Sequence, residues 1–275
     1  MSDEESGNGV PLIEPLYRSL SPSDRDSGKR KRDDEDDGKK TAKKKKKKNF
    51  KKKVPKDIND DDLDEKLGLN LAIGRMDGQL LVDHVAQRTK RFEPELSTVE
   101  MEDRYLPANA VLDTSSWEES RTLENLPKFL QHFAKPKEKL NAPATDKGSP
   151  HTIVIALSGI RAAEVTRALK SFSSKEGAVT KLFAKHIKLA EAIETCKKTR
   201  MPMGVGTPQR ILELFEDGAL SANHLKRVVI DASHIDAKKR GILDMKELQP
   251  PLMRLLNQAA LRLRYGKKDT QIIFY

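Results

Sequence analysis

Two short segments of the chain combine residue types that could do chemistry. The first is Gly204-Val205-Gly206-Thr207-Pro208-Gln209-Arg210. Gly206 permits a tight turn, Thr207 is a natural N-cap, and Pro208 suits the first position of a helix. The amides at the start of such a helix attract an anion, and Arg210 in the first turn can hold a phosphate with two N–H groups. An ordinary capped turn explains the same residues, and the chemistry alone favours that interpretation.

The second segment is Val228-Val229-Ile230-Asp231-Ala232-Ser233-His234. A carboxylate at the end of a buried strand is the usual place to hold a magnesium ion in NTPases. Two alternatives remain open: Asp231 and His234 could belong to a catalytic group, or Asp231 could cap the turn that follows. Because no nucleophile for such a group is identifiable, the sequence favours the cap first and catalysis last.

Cofactor and metal sites find little support in the sequence. Gln209 stands where a dinucleotide-binding GxGxxG pattern needs its third glycine, and a single carboxylate is a poor magnesium site. Cys196 is the one cysteine of the sequence, which excludes an internal disulfide and a zinc site of CxxC type. We therefore expect no cofactor, no bound metal and no small-molecule substrate.

The elements that must position these segments alternate between strands and helices from residue 151 onward. Strands are predicted at His151–Leu157, Ala178–Phe183, Met201–Val205, Val228–Ile230 and Gln271–Phe274. Helices are predicted at Arg161–Phe172, Ile187–Lys198 and Pro208–Asp217, with a helical region at Asp244–Arg264 that Pro250-Pro251 interrupts. This alternation predicts an α/β fold with one parallel sheet and helices on both faces, where ligands bind at the carboxyl ends of the strands.

Residues 61–135 form a helical segment in our interpretation, and residues 136–150 a surface linker. A helix is predicted within 78–92, where Leu80, Leu81, Val85 and Phe92 fall near helical spacing. Ser97 or Thr98 could cap a second helix that runs to about Tyr105. A third follows the apolar spacing of Leu126, Phe129, Leu130 and Phe133. Trp117, just before it, is interpreted as a core residue.

Composition excludes several classes of protein. The 275 residues carry a net charge of +10, with 36% hydrophobic and 34% charged residues, which is too polar for one compact globule. The longest apolar run, Ile153–Leu157, is far shorter than the roughly 20 residues that span a bilayer. The acidic start Met1-Ser2-Asp3-Glu4-Glu5 has no apolar stretch after it, so secretion is not expected. We expect a soluble intracellular chain without a membrane partner.

Half of the net charge lies in residues 1–60, which we interpret as a disordered tail. These residues contain 18 basic and 13 acidic side chains, and twelve of the eighteen residues in 39–56 are lysine. Two basic clusters fit a bipartite nuclear localisation signal: Lys29, Arg30, Lys31 and Arg32, then Lys43, Lys44, Lys45, Lys46, Lys47 and Lys48. Clustered lysines also bind nucleic-acid phosphates without sequence preference, and a solubilising tail is the plainer alternative.

Several segments together resemble the first RecA-like domain of DEAD-box RNA helicases. Gly206-Thr207-Pro208-Gln209-Arg210-Ile211 is similar to the G-T-P-G-R-L motif, which grips the RNA backbone. Asp231-Ala232-Ser233-His234 falls where D-E-A-D belongs. Residues 155–164 are similar to the RNA-contacting A-P-T-R-E-L-A motif, with Arg161 matching its arginine, and Gln271–Phe274 resembles the strand that leads to S-A-T. The resemblance implies RNA-phosphate contacts at Arg161, Gly206, Thr207 and Arg210.

The departures from the helicase pattern concern catalysis. No G-x-x-x-x-G-K-[ST] occurs in the sequence, so the fold expected is RecA-like without the P-loop. Ala232 replaces the glutamate that orients the attacking water, and His234 replaces the last acid of the motif. No S-A-T follows Gln271–Phe274 in this sequence, and we expect no second RecA-like domain. Because the motifs for nucleotide binding and hydrolysis are missing, we expect no enzyme activity. The helicase motifs that are still recognisable are those that contact RNA.

The order of segments resembles that of the CMS-one family: a basic tail, a helical segment at 61–135, and at 151–275 a degenerate version of the first RecA-like domain of a helicase. Arg121-Thr122-Leu123-Glu124-Asn125-Leu126-Pro127 and residues 181–188 strengthen the resemblance. It implies a non-catalytic ribosome-biogenesis protein of the nucleus and nucleolus, with pre-rRNA or small nucleolar RNA and proteins of the 90S pre-ribosome (small-subunit processome) as partners. Three interpretations remain open: a direct RNA-binding factor, a protein-interaction scaffold without RNA contact, and an unconventional NTPase.

Overall fold

The structure is a computed structural model that describes residues 62–184, 187–266 and 270–275. All of these residues fall in one compact unit. The predictions for the tail at 1–60, including the nuclear localisation signal, lie outside the described residues. Within the described ranges, no helix is both long enough and apolar enough to span a bilayer. The predicted boundaries at 61–135, 136–150 and 151–275 stay a prediction.

A five-stranded parallel sheet is the centre of this unit. Its strands are β3 (Thr152–Ile155), β4 (Thr180–Leu182), β5 (Met203–Gly206), β6 (Arg227–Ile230) and β7 (Gln271–Phe274), in the order β4-β5-β3-β6-β7. Every neighbouring pair is parallel, and Ile155 of β3 stands opposite both Gly206 of β5 and Ile230 of β6. The predicted α/β class with a parallel sheet is confirmed.

The strands form where short β-branched apolar runs can be buried on both sides. All four residues of β3 and of β6 are buried, as a strand covered on both faces requires. Helices connect successive parallel strands: α5 (Gly159–Ala168), α6 (Leu189–Lys198) and α7 (Pro208–Glu216), and α8 (Gln249–Leu256) and α9 (Ala259–Arg262) precede β7. Parallel strands need such crossovers, since a tight turn cannot join them.

One face of the sheet is covered by α2 (Gly78–Phe92) together with α6, α7 and α8. Apolar side chains of β3, β6 and β7 point to this face, and Leu81, Ile211 and Leu252 of the helices pack on them. Cys196 of α6 lies in the same core, fully buried, and burial raises the pKa of its thiol to about 11.

The other face is covered by α4 (Leu126–His132) and α5. Val154, Val229 and Ile273 alternate with the residues of the first face, as the period of two in a strand requires. Phe129 of α4 is fully buried beneath them. Helices therefore cover both faces as predicted, and the helices of residues 61–135 supply part of each covering.

Most helix positions follow the predictions. The helix predicted within 78–92 is α2, and the helix capped at Ser97 is α3 (Thr98–Arg104), where Ser97 and Glu100 form a capping box. Of the residues that gave the helical spacing, Leu80 is exposed at 53%, whereas Val82 is buried.

The prolines at 250 and 251 do not interrupt a helix, so that prediction is wrong. They lie in the first turn of α8, which begins at Gln249. The first-turn amides of a helix have no intrahelical partner, and proline therefore costs nothing there. Residues 245–248 before α8 are outside any helix, so the predicted helical region is divided earlier than expected.

A small antiparallel hairpin at the start of the described chain has no counterpart in the sequence predictions. It consists of β1 (Leu63–Asp64) and β2 (Leu69–Asn70) and leads into α1 (Ala72–Arg75). Gly68 turns the chain with φ of +65°, a conformation that favours glycine. Leu69 and Asn70 are buried, and the hairpin lies against the carboxyl edge of the sheet, where the Asn70 amide donates to the Ser233 carbonyl.

Candidate functional site at the carboxyl edge of the sheet

The carboxyl ends of β3 and β6 lie side by side, which brings together the two segments that follow them. Ile155 pairs with Ile230, and the Asp231 amide donates to the Ile155 carbonyl at 2.9 Å. The chain after β3 enters α5, whose N-cap Ser158 accepts a hydrogen bond from the Arg161 amide at 3.2 Å. Arg161 and Asp231 therefore meet, although 70 residues separate them.

The Arg161 guanidinium and the Asp231 carboxylate form a buried two-point ion pair. Nε lies 2.7 Å from Oδ2 and Nη2 lies 3.3 Å from Oδ1, while Nη1 is 3.6 Å from a carboxylate oxygen of Glu164. The two residues are 7% and 2% exposed. The carboxylate accepts from the arginine and not from the turn after β6, so the capping interpretation of Asp231 is wrong.

The three residues after Asp231 are bound through their backbones. The amides of Ala232 and Ser233 donate to the Tyr275 carbonyl at 2.8 and 2.7 Å, and the Ser233 carbonyl accepts from the Asn70 amide at 2.7 Å. The Ser233 hydroxyl is buried and has no hydrogen-bond partner among the residues that the structure describes. This segment thus joins the end of β7 to the hairpin.

His234 completes the junction between β6 and the hairpin. It forms an isolated antiparallel bridge with Leu69, and the neighbouring Ile235 amide donates to the Gly68 carbonyl at 3.0 Å. Burial lowers the pKa of the His234 imidazole, and the positive charge of Arg161 lowers it further. The histidine is therefore neutral at physiological pH and does not add a second cation beside Arg161.

Gly206 ends β5 and is required by close packing. A Cβ atom at this position would lie 2.0 Å from the Leu182 carbonyl oxygen of β4. Thr207 then occupies the N-cap position of α7, and Pro208 lies in its first turn, as predicted, but the Thr207 side chain makes no capping hydrogen bond. The hydroxyl, which is part-exposed, is not used by the helix it precedes.

The Arg210 side chain is directed into the protein. Its Nη1 donates to the Ile187 carbonyl at 3.0 Å, and its Nε lies 3.3 Å from a carboxylate oxygen of Glu213. The residue is 8% exposed. Both arginines predicted to contact phosphate are thus largely buried and held by groups of the chain itself.

A third buried arginine, Arg121, lies at the carboxyl end of β7. Its guanidinium donates to the carbonyl of Phe274, to the Thr114 carbonyl at 3.1 Å and to the Thr114 hydroxyl at 3.0 Å. Burial lowers the pKa of this guanidinium to about 10, so it is still charged at neutral pH. The sequence marks Arg121 only as part of a family-like segment, because its acceptors are main-chain atoms that residue types do not reveal.

A cavity of about 430 Å³ opens between the hairpin and the loop at 115–121. Its lining includes Asn70, Arg75, Trp117, Glu119, Arg121 and Ser233. Trp117 also packs on the second core, with its ring 5.4 Å from that of Phe129 in an edge-on contact, in line with its interpretation as a core residue. Of the predicted site residues, Ser233 lines the cavity, while Arg161 and Asp231 are paired beside it.

This carboxyl edge offers no cluster typical of a metal site. Among residues 62–184, 187–266 and 270–275, no group of three His, Cys, Asp or Glu side chains could hold an ion. Asp231, the candidate magnesium ligand, is already paired with a guanidinium. The described polar groups at this edge form hydrogen bonds and ion pairs with one another.

Fold and site together define an α/β protein whose parallel sheet has a buried ion pair at its carboxyl edge. The family model described as "CMS1: U3-containing 90S pre-ribosomal complex subunit" matches residues 23–275. The chain belongs to this family, which confirms the resemblance inferred from its motifs. Its role accordingly lies in ribosome biogenesis, with components of the pre-ribosome as its partners.

Curated relatives from distant eukaryotes agree with this assignment. Protein CMS1 of Chaetomium thermophilum is 52% identical over 227 residues, which cover 82% of this chain and 90% of that protein. Protein cms1 of Schizosaccharomyces pombe is 30% identical over 195 residues, covering 71% and 69% of the two chains. Human protein CMSS1 is 33% identical over 165 residues, covering 60% and 57%.

Solved structures that resemble the chain include DEAD-box proteins. Saccharomyces cerevisiae Dbp5 bound to RNA and ADP BeF3 gives a TM-score of 0.35 at 18% identity, over 55% of this chain and 32% of that one. A DEAD box protein from Methanococcus jannaschii gives 0.32 at 17% identity, over 46% and 30%. Both TM-scores lie below 0.5, so the likeness says nothing about what this chain does.

Proposed function

We propose that this protein is a non-catalytic RNA-binding component of the small-subunit pre-ribosome in the nucleolus. The observation that carries the non-catalytic part is the buried pair of Arg161 and Asp231. A carboxylate that binds magnesium must offer its oxygens to the ion, and here both face a guanidinium. Ala232, which follows it, has no group to orient a water molecule.

RNA contact is proposed for Gly206 and Thr207, which end β5 and precede α7, and for Arg161 and Arg210, which lie in the first turns of α5 and α7. Ligands of parallel α/β sheets bind at the carboxyl edge, and the first amides of α7 together with the unused Thr207 hydroxyl could donate to a phosphate. The two arginines are largely buried and paired with Asp231 and Glu213, so a phosphate contact requires each guanidinium to turn from its partner toward the surface. A phosphate at Arg210 would compete with Glu213 for the guanidinium.

The basic tail serves nuclear import in this proposal. The clusters at Lys29–Arg32 and Lys43–Lys48 supply the localisation signal, and the lysine-rich stretch adds affinity for RNA that depends on salt but not on sequence. The 90S complex named by the family model assembles on pre-rRNA in our proposal, so pre-rRNA or small nucleolar RNA and proteins of that complex are the partners.

Two measurements on the full chain test the proposal. We expect no ATP turnover above background, and no difference between the wild type and Asp231→Asn. We expect binding of single-stranded RNA that weakens as salt rises, and weaker binding by Arg210→Ala than by the control Arg254→Ala, whose side chain is exposed on α8. Turnover that vanishes in Asp231→Asn would support the unconventional NTPase instead and refute the non-catalytic role.

A protein scaffold without RNA contact is the second candidate. The observation in its favour is that Arg161 and Arg210 are both paired within the chain, which leaves the carboxyl edge less basic than an RNA-binding surface needs. Crosslinking in pre-ribosomes separates the two candidates. RNA adducts on peptides around Gly206–Arg210 support the RNA-binding proposal, whereas protein adducts alone at these peptides support the scaffold.

A further inference from the structure

The opposite, amino-terminal edge of the sheet carries a basic groove of about 670 Å³. His151 and Lys226 line it and immediately precede β3 and β6, and the loop at 135–139 forms its wall. The groove therefore lies at the end of the strands away from Arg161 and Asp231, which follow the carboxyl ends of these strands. None of the residues predicted to contact RNA lines it.

Positive charge dominates the groove. Five of its lining residues are basic and one, Glu138, is acidic; the basic ones are Lys135, Lys137, Lys139, Lys226 and Arg264. The four lysines are exposed, so their ammonium groups are accessible to solvent. Arg264 is anchored at the base, where its guanidinium donates to the Leu225 carbonyl at 3.3 Å and to the Thr270 hydroxyl at 3.2 Å.

The single acidic residue does not neutralise this surface, because its charge is already compensated. Glu138 is paired with Arg227, a buried residue of β6, and lies 3.1 Å from the Lys226 ammonium. Burial alone would raise the pKa of the Glu138 carboxyl, but Arg227, Lys226 and the Lys135 amide lower it to about 2. Lys137 and Lys139 therefore add positive charge to the groove that Glu138 does not cancel.

Glu138 also fixes the backbone of the loop at 135–139, through hydrogen bonds with Lys135. The Lys135 amide donates to the Glu138 carboxylate at 3.2 Å, and the Glu138 amide donates to the Lys135 carbonyl at 3.0 Å. Lys137 between them has φ of +67°, which is uncommon for a residue with a side chain. Held in this way, the backbone of the loop loses little freedom when its lysines bind a ligand.

The groove continues past the loop into a second hollow of about 460 Å³, and the two hollows share Lys135, Pro136, Lys137 and Glu138. A ligand that follows both must be extended and carry several negative charges. Among the described residues, no Phe, Tyr or Trp side chain lines the first hollow, and Phe172, which lines the second, is buried, so neither hollow presents an open platform on which bases stack. These features fit a chain of phosphates better than a single nucleotide.

We propose that the groove at 135–139 and 223–226 binds the phosphate backbone of single-stranded RNA without reading its sequence. This inference rests on the proposed function, because it takes RNA as the ligand, but it adds a second contact region at the other edge of the sheet. A strand of RNA bound there contacts Lys137, Lys139 and Lys226 through its phosphates. An acidic protein segment is the competing ligand that the test must separate.

The affinity test compares two double variants of the full chain. Lys137→Gln with Lys139→Gln removes two charges from the groove, and Lys238→Gln with Lys246→Gln removes two exposed lysines that do not line it. Two lost phosphate contacts should lower the salt slope of single-stranded RNA binding by about 1.4 and the affinity about tenfold at 0.15 M salt. The control double variant should stay within about twofold of the wild type.

The outcomes separate this inference from the proposed function. Equal RNA binding by both double variants would refute RNA binding in the groove and leave the proposed function standing. Absence of RNA binding by the wild type would refute both the RNA-binding part of the proposed function and the inference about the groove. Lysine footprinting by acetylation of the full chain gives a second measurement: RNA should protect Lys137, Lys139 and Lys226 and leave Lys238 and Lys246 reactive. Protection by a polyglutamate peptide but not by RNA would identify a protein partner and refute the RNA assignment.

Discussion

Arg161 and Asp231 illustrate how one buried contact determines what a sheet edge can do. The pair is held by two hydrogen bonds and excluded from water, so each charge depends on the other. Removing one partner leaves an uncompensated charge inside the protein, and this costs far more than losing an exposed ion pair. Residue types alone could not predict the contact, because the two residues are distant in sequence and Asp231 suits a cap equally well.

Replacing Asp231 by asparagine should therefore destabilise the protein strongly. We expect Asp231→Asn to lower the free energy of unfolding by about 3 kcal/mol, because the buried Arg161 charge is then left with only the more exposed Glu164 at 3.6 Å. The matched control is Asp217→Asn, whose partner Lys197 is 58% exposed, and which should cost less than about 1 kcal/mol. Urea denaturation followed by circular dichroism measures both.

A double variant checks that the effect comes from pairing. Arg161→Met combined with Asp231→Leu should recover most of the stability lost in Asp231→Asn, since it leaves no buried charge unpaired. Equal losses in Asp231→Asn and Asp217→Asn would show that the buried pair contributes no more than a surface one.

Glu138 and His151 predict a two-stage loss of stability in acid. The pKa of Glu138 is lowered to about 2, so its contribution is complete above the ordinary value of 4.5 and is lost as pH falls from 4.5 to 2. Burial and Arg227 lower the pKa of His151 from 6.5 to about 4. The unfolded histidine therefore takes up a proton before the folded one, and stability falls between pH 6.5 and 4.

Unfolding by urea at a series of pH values from 7 to 2.5 measures both stages. His151→Gln should abolish the His151 contribution between pH 6.5 and 4 and leave the Glu138 contribution, whereas Glu138→Gln should do the reverse. An unchanged pH profile in His151→Gln would contradict a buried neutral histidine. The NMR titration of the His151 ring gives its pKa directly.

At the scale of elements, the sequence predicted those helices and strands whose pattern of apolar residues lies within the element itself. The apolar spacing within 78–92 marked α2, and the β-branched run at 271–274 marked β7, because each pattern is contained in one element. The hairpin could not be predicted in this way. Its strands are two residues long and are held by the Asn70 amide on the Ser233 carbonyl, a contact across 163 positions of the chain.

Ser97 and Thr207 both occupy N-cap positions, but their replacement should change the stability of the protein by different amounts. Ser97 forms a capping box with Glu100, so Ser97→Ala should lower the free energy of unfolding by about 1 kcal/mol. Thr207 holds the same position before α7 but makes no capping hydrogen bond, so Thr207→Ala should cost less than about 0.5 kcal/mol. Thermal and urea unfolding of the two variants measures the difference.

The result also bears on the carboxyl edge. If Thr207→Ala leaves stability unchanged but weakens RNA binding, the hydroxyl serves a ligand and not the helix. A loss of about 1 kcal/mol in Thr207→Ala would instead show that the hydroxyl caps α7 in solution, and would remove it from the proposed phosphate contacts.

At the scale of the whole molecule, two cores share one sheet. Strand–helix alternation predicted the sheet and its covering on both faces, but not that α2 would join the helices on one face and α4 those on the other. That assignment depends on which side chains of each helix meet the alternating faces of β3 and β6, as Leu81 and Phe129 show. Because both coverings use the same strands, they should unfold together.

Truncation of Phe129 tests this coupling. The ring is fully buried in the α4 covering, so Phe129→Ala should lower the free energy of unfolding by about 3–5 kcal/mol. Hydrogen exchange should then show faster exchange in α2, on the other face, as well as in α4. Leu80→Ala, with an exposed side chain on α2, is the control and should change little. Faster exchange confined to α4 and α5 would contradict a shared unfolding unit.

The buried cysteine gives the molecule a built-in reporter. Cys196 is the single thiol of the sequence and is fully buried between α6 and the sheet. A thiol reacts as the thiolate, and burial suppresses that form, so a disulfide reagent can modify this protein only when α6 opens. The rate of modification therefore measures the opening of one helix without a label, and its change on incorporation into a pre-ribosome would report whether assembly tightens this side of the protein.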